Sequence, residues 1–217
     1  MEIHRFLPLG AALLSSLGTA SLAAQAAEEG GLVLRVGERE VGGETYRVVQ
    51  LTGGLRITSK TVFTGTRPAP EFTVSSERSD SGSLAFQLAY RDSGSAGEVY
   101  AVQQRNRLTI RRVERSSERA SELPAPRRVV LLADSTFAPF IQLVPLAGED
   151  PQPVVGLYPR SGRRVNLTVQ RRALPDRSGT VVQVSGDLVG EIRLGNRDEL
   201  LGISFPGFGM EAVRRRD

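Results

Sequence analysis

The chain has 217 residues, of which 40% are hydrophobic, and its 28 basic residues outnumber its 24 acidic ones to give a net charge of +4. This composition excludes a mainly disordered chain and a collagen-like one, and the length fits one globular domain. The chain has no Cys, no Trp and a single His. Disulfides, thiolate nucleophiles and zinc sites built on cysteine are therefore excluded.

The first 26 residues have the three parts of a secretory signal peptide. Arg5 supplies the positive start, an apolar run follows over 6–14, and Ala24-Gln25-Ala26 forms a small-residue cleavage site. Small and apolar residues lie on every face, which disfavours the alternative of an amphipathic first helix. We expect cleavage after Ala26, a single β-rich domain over 27–217, and a periplasmic or secreted protein. The sequence offers no Cys for a lipid anchor and no later apolar stretch long enough to span a membrane.

The basic residues are nearly all Arg, since Lys60 is the only lysine. Many stand in pairs, such as Arg111-Arg112 and Arg163-Arg164, which is typical of the solvated face and the ends of strands. Aromatic residues make up only 6% of the chain, too few for the stacking platforms of a nucleic-acid groove. We therefore expect no nucleic-acid partner, and we consider a hydrophobic small molecule or lipid, or an envelope protein, as the partner.

Alternation of apolar and polar residues dominates the chain after the leader. It is strict in 164–171 and recurs in 84–91, 107–111 and 188–194. Such alternation predicts antiparallel strands with one buried face. Stretches rich in Gly, Asp, Asn and Ser predict the hairpin turns between them. The predicted fold is all-β, a strongly curved antiparallel sheet or half-open β-barrel with one short helix.

Two segments interrupt this alternation. Residues 115–128 are polar and contain two prolines, which predicts a connector with room for a turn of helix. Further on, four apolar residues have the spacing of one helix face: Phe137, Phe140, Ile141 and Val144. A short helix is predicted there, with Asp134-Ser135 as its N-cap and Pro139 in its first turn. The alternative is another apolar strand, with Pro139 at a sheet edge.

Five segments carry a resemblance to known proteins: 43–48 (GETYRV), 54–59 (GLRITS), 130–137 (VLLADSTF), 200–206 (LLGISFP) and 212–214 (AVR). Together with the leader, they resemble uncharacterised periplasmic β-rich proteins of GC-rich bacteria. That group is similar to the lipoprotein-carrier-like fold, a curved antiparallel sheet wrapped as a half-open barrel around a short helix. The resemblance spans roughly 43–214. It implies a non-enzymatic envelope protein that shields a hydrophobic ligand such as an acyl chain or lipid.

Catalytic constellations have few residues to draw on. The only His, His4, lies in the predicted leader, so the mature chain lacks imidazole for a catalytic triad or a metal site. Asp80-Ser81-Gly82 and Asp92-Ser93-Gly94 match the tripeptide of aspartic proteases, but these residues also form tight turns, which we favour. Ser59 and Lys60 are adjacent and would point to opposite faces of a strand, which disfavours a Ser–Lys dyad. We predict no enzyme activity, no catalytic residue, no metal and no cofactor.

Seven residues are predicted to line the concave face of such a sheet and its helix: Phe63, Phe86, Leu88, Tyr90, Phe137, Phe140 and Ile141. They are the candidate ligand-binding residues, although ordinary core packing also explains them. Two functions remain open at this point. A carrier of a hydrophobic ligand predicts a cavity lined by these residues. An accessory domain that mediates protein–protein interaction in the envelope, through an edge strand or an Arg-rich face, predicts a filled core.

Overall fold

The computed structural model describes residues 27–115, 117–126, 128–176 and 178–215, and the predicted leader over 1–26 lies outside them. The strands, in chain order, are β1 (Ala27–Val36), β2 (Arg39–Leu51), β3 (Gly54–Phe63), β4 (Glu71–Ser79), β5 (Leu84–Arg91), β6 (Ala96–Gln104), β7 (Arg107–Glu114), β8 (Ser117–Pro124), β9 (Val129–Leu131), β10 (Gln152–Tyr158), β11 (Arg163–Ala173), β12 (Gly179–Gly186), β13 (Gly190–Gly195), β14 (Leu200–Phe205) and β15 (Met210–Arg214). Two 3-10 helices join them, η1 (Ala138–Leu146) and η2 (Pro206–Phe208).

All the strands of the described residues belong to one sheet of 15 strands, in the order β8-β7-β6-β5-β4-β3-β2-β1-β15-β14-β13-β12-β11-β10-β9. Neighbouring strands are antiparallel, except that β9 pairs parallel with β10. The two ends of the described chain meet at the middle of the sheet, where β1 pairs with β15. The sheet thus has two wings, β1–β8 and β9–β15, and the predicted all-β fold with a curved antiparallel sheet is confirmed.

The curl of the sheet encloses two apolar cores. The barrel core surrounds η1 and takes side chains from both wings, including Leu34, Ile57, Val130, Phe140, Leu167 and Phe205. The overlap core lies between β4–β7 and the β9–β10 edge, and includes Phe72, Phe86, Ile110, Leu131 and Leu157. Val130 and Leu131 are neighbours in β9 and belong to different cores. The β9 edge therefore lies inside the curl, with one wing of the sheet overlapping the other.

Side chains hold the overlapping wings together. Arg112 of β7 donates from Nε to the carbonyl oxygens of Pro159 and Arg160, at 2.7 and 2.9 Å. Arg160 donates from Nη2 to Oδ2 of Asp92 at 2.7 Å, and its guanidinium lies 3.7 Å from the centre of the Tyr90 ring. The β10–β11 turn is thereby attached to β5 and β7, although no backbone ladder joins these strands.

The predicted helix is present as η1, with Pro139 in its first turn as expected, and the strand alternative is wrong. It is a 3-10 helix whose first six residues are all buried, so it has no single buried face. The predicted N-cap is also wrong. The helix begins after Phe137, Ser135 has a φ of +65°, and Asp134 instead pairs with Arg163 at 3.6 Å. The physical reason is that the carboxylate of Glu44, in β2, accepts the first N–H groups of the helix in place of a local cap.

The polar segment 115–128 contains an edge strand rather than only a connector. Ser117–Pro124 forms β8, and seven of its eight residues are exposed. Polar residues suffice here because, within the part of the chain that the structure describes, β8 pairs with β7 alone, and ion pairs across the ladder support it. Arg107 and Arg111 of β7 pair with glutamates of β8 at 2.5 and 2.7 Å.

Candidate functional site

The structure divides the seven candidate ligand-binding residues between the two cores. Phe137, Phe140 and Ile141 lie in the barrel core, Phe86, Leu88 and Tyr90 lie in the overlap core, and Phe63 packs against both. Among the seven, only Ile141 also lines a cleft beside the end of η1. The concave face is filled by η1 and by these side chains. Ligand binding by the seven residues stays a prediction.

A cleft of about 500 Å³ opens at the end of the barrel where η1 ends. The end of β2, the start of β3, and the turns that follow β4 and β13 contribute to its walls together with η1. Its apolar lining consists of Val48, Leu55, Ile141, Val144, Leu146, Leu194 and Leu200, with Pro145 beside them. Four of these side chains, Val48, Leu55, Val144 and Leu146, are only partly buried. The volume falls within the roughly 300–1,000 Å³ of small-molecule sites, and the wall offers apolar surface that the protein leaves uncovered.

Charged side chains line the mouth of this end cleft, and most of them are paired. Arg171 forms a salt bridge with Asp198. Glu28 accepts hydrogen bonds from the Tyr46 hydroxyl at 2.8 Å and from the Leu200 N–H at 2.9 Å, and lies 3.5 Å from Arg214. Burial, reinforced by Glu28, raises the pKa of Tyr46 well above its usual range. These pairs leave little net charge on their side of the mouth.

Arg78 lines the same cleft without such a partner. Its Nη1 donates to the carbonyl oxygen of Val129 at 2.7 Å, on the edge of β9 that pairs with no strand of the described residues. Burial, together with the nearby charge of Arg128, lowers the pKa of Arg78. Within the described residues no carboxylate forms a salt bridge with it, and Asp80, two residues on, is exposed. The guanidinium, with five N–H donors, can accommodate a further acceptor.

A buried carboxylate lies at the other end of η1. Glu44 of β2 is 1% exposed, and its two oxygens accept the backbone N–H groups of Phe137 and Ala138 at 2.8 and 3.1 Å. Burial raises the pKa of Glu44, and the two N–H groups and the hydroxyls of Ser59 and Thr61 oppose this shift. The Ser59 and Thr61 hydroxyls are buried, and neither has a partner with the distance and angles of a hydrogen bond among the described residues. Glu44 therefore acts as the N-cap of η1 from across the barrel core.

Sequence reasoning missed both Glu44 and Arg78, although a signal for each was present. Strand β4 points Phe72, Val74 and Ser76 inward, and Arg78 continues that series. Glu44 stands at an inward position of β2, two residues before the buried Tyr46. A charged residue in the inward register of a half-buried strand needs a partner or a function. The alternation of each strand therefore marked these positions.

The other polar motifs lie in turns or on opposite faces. Oδ1 of Asp92 accepts the N–H groups of Gly94 and Ser95 at 3.3 and 3.0 Å, and the Arg160 guanidinium contributes most to holding the pKa of Asp92 at about 2. Ser59 is buried, while Lys60 is exposed and pairs with a carboxylate of β4 at 2.9 Å. In the part of the chain that the structure covers, no three metal-ligating side chains converge. Over the same residues, no helix has the length and apolar character of a membrane span.

The comparisons with known proteins support the fold. No family model matches the chain, and no curated protein matches it. Among solved structures, it is similar to a β-barrel-like protein of a domain of unknown function, DUF1849, from Brucella abortus. The TM-score is 0.50 at 11% sequence identity, and the match covers 87% of this chain and 95% of that chain. At this identity the similarity shows the fold alone, and the chain has a β-barrel-like fold.

Proposed function

We propose that the protein is an exported, non-enzymatic binding protein of the bacterial cell envelope that holds the apolar part of a small molecule or lipid in the end cleft. The observation that carries this proposal is the set of partly buried apolar side chains in its wall, Val48, Leu55, Val144 and Leu146. Covering them with an apolar ligand is favourable at roughly 25 cal/mol per Å² of surface removed from water. The predicted signal peptide and the resemblance to periplasmic, lipoprotein-carrier-like proteins support export and an envelope role.

The proposed position of the ligand follows from what η1 occupies. Because Phe137 and Phe140 are almost fully buried in the barrel core, the concave face beside them has no room for a chain. The apolar lining becomes accessible only where η1 ends, at Val144 and Leu146. We therefore place the ligand beside the end of η1, with Ile141 as the one member of the predicted set in contact with it.

The alternative, an interaction domain that acts through an edge strand, has less support. The tightly packed barrel core agrees with it. The free edge at β8, however, carries Glu118, Arg119 and Glu122 and ends at Pro124. Charges and proline on an edge strand are devices that oppose pairing with another chain. The end cleft, in contrast, presents partly buried apolar side chains to a ligand.

The test is to fill the end cleft. The mature protein is titrated with N-phenyl-1-naphthylamine, an uncharged apolar fluorophore that brightens on leaving water, and molecules bound after purification from a periplasmic fraction are identified by native mass spectrometry. Val144→Trp places a large ring in the wall and is expected to weaken dye binding by about tenfold or more, equivalent to at least about 1.4 kcal/mol. Val189→Trp, at a position 66% exposed on the β12–β13 turn, is the matched control and is expected to bind the dye as the wild type does.

Saturable dye uptake that Val144→Trp weakens and Val189→Trp leaves unchanged supports the proposal. Absence of dye uptake by the wild type, or equal binding by Val144→Trp, would overturn it. Thermal unfolding of both variants establishes that each is folded before binding is compared.

A further inference from the structure

We propose that the ligand of the end cleft carries an anionic head group, a carboxylate or a phosphate, that binds the guanidinium of Arg78. This inference rests on the function proposed above and adds the chemistry of the head group to it. The occupant is then an anionic amphiphile, with its charge at Arg78 and its chain along the apolar wall.

The charges of the cleft single out Arg78. Arg171 is neutralised by Asp198, and Glu28 is satisfied by Tyr46, Leu200 and Arg214. Arg78 is partly buried, and among the described residues its guanidinium donates a hydrogen bond to a neutral carbonyl oxygen. A cation removed from water without a counter-ion is costly, and a ligand anion would offset that cost.

The geometry also favours an anion at this position. The bond from Nη1 to Val129 fixes one corner of the guanidinium and leaves the rest of the planar group for bidentate binding of a carboxylate or phosphate. Arg128 lies close enough to act on Arg78 electrostatically, so it adds to the positive potential. Asp80 is the opposing charge at the rim, and it is exposed and screened by solvent. Arg78 and the apolar wall at Val144 and Leu146 line one cleft, as an amphiphile requires.

The experiment compares ligands that share a chain and differ in the head group. Displacement of N-phenyl-1-naphthylamine by dodecanoate, dodecyl phosphate and dodecanol is measured at a mildly alkaline pH, below the critical micelle concentration of each anion and below the solubility limit of dodecanol. Wild type is expected to bind at least one of the two anions about ten- to a hundredfold more tightly than the alcohol, as charge-assisted hydrogen bonds predict. Which anion is preferred distinguishes a fatty carboxylate from a phosphate head group.

Three variants locate the contact. Arg78→Gln is expected to remove the preference for the anions and leave dodecanol affinity within about twofold, because the apolar wall is intact. Arg78→Lys keeps the charge and is expected to retain part of the preference. Arg171→Gln is the matched control, since it removes an arginine of the same rim that already has a carboxylate partner, and it is expected to retain the preference.

The outcomes separate this inference from the function on which it rests. Equal binding of anions and alcohol by the wild type overturns the head-group inference and leaves apolar binding standing, whether or not Arg78→Gln folds. Loss of the preference in Arg171→Gln to the same extent as in Arg78→Gln overturns the assignment to Arg78. Failure of all three ligands to displace the dye, together with an unchanged Val144→Trp, overturns the proposed function itself.

Discussion

Glu44 shows how a single buried residue can determine where a helix begins. Its carboxylate accepts two N–H groups at the start of η1 from a strand 93 residues away. Burial raises its pKa above the ordinary value of 4.5, so the folded state holds this proton to a higher pH than the unfolded chain. The contribution of Glu44 to stability is therefore fully present below about pH 4.5 and is lost as pH rises through its folded pKa.

This coupling predicts the pH dependence of a matched pair of proteins. Glu44→Gln keeps one oxygen that can accept one of the two N–H groups, and its amide does not titrate. The free energy of unfolding of the wild type minus that of Glu44→Gln is expected to fall as pH rises above about 4.5, by about 1.4 kcal/mol for each unit by which burial raises the pKa. Urea denaturation at several pH values measures it, with Glu38→Gln in the exposed β1–β2 turn as the control. A difference that is constant over this range would contradict the assignment.

At the scale of elements, the sequence determined the buried face of most strands and little of what surrounds η1. Alternation in 84–91 and 164–171 correctly placed Phe86 and Leu167 inside, because a half-buried strand has a period of two. The same pattern gave no indication that 117–124 is a strand, since an edge strand with exposed faces needs no apolar residue. The apolar spacing predicts the helix, but the local pattern predicts a cap at Asp134-Ser135, whereas the capping carboxylate is Glu44 in β2. The end cleft was not predicted because it depends on which turns meet, and local patterns do not encode that.

Gln142 joins η1 to the edge of β9. It is almost fully buried, and its Nε2 donates to Leu131 O at 2.9 Å and to Pro139 O at 3.1 Å. Gln142→Leu keeps a similar volume but leaves these carbonyl groups without that donor, so we expect the free energy of unfolding to fall by about 1–3 kcal/mol. Gln87→Leu, on the exposed face of β5, is the control and should change it by less than about 0.5 kcal/mol. Chemical denaturation of both variants measures the change in the free energy of unfolding. Equal changes in the two variants would show that the hydrogen bonds between η1 and β9 do not stabilise the fold more than an exposed polar residue does.

At the scale of the whole molecule, the two edges of the sheet, β8 and β9, do not pair with each other. A barrel closed by backbone hydrogen bonds would join its edges, whereas here one wing overlaps the other across the overlap core. Apolar packing is not directional, so it does not by itself fix the position of one wing relative to the other. The hydrogen bonds of Arg112 and Arg160 fix this position, because each guanidinium donates to defined oxygen atoms on the opposite wing.

Removing Arg112 should therefore loosen the overlap before it unfolds the barrel. Arg112→Met keeps most of the aliphatic chain and removes the donor to Pro159 O and Arg160 O. Since hydrogen bonds from a charged donor contribute about 1.5–3 kcal/mol, we expect amide exchange in β9 and the β10–β11 turn to accelerate by about tenfold or more. Exchange in β12–β15 should stay near the wild-type rate, because the described partners of those strands are strands of their own wing and β1. Hydrogen–deuterium exchange mass spectrometry separates the two regions.

Arg107→Met is the control, since it removes an exposed ion pair. Uniform acceleration across both regions in Arg112→Met would mean that overlap and barrel open together and that the guanidinium contacts do not set the closure.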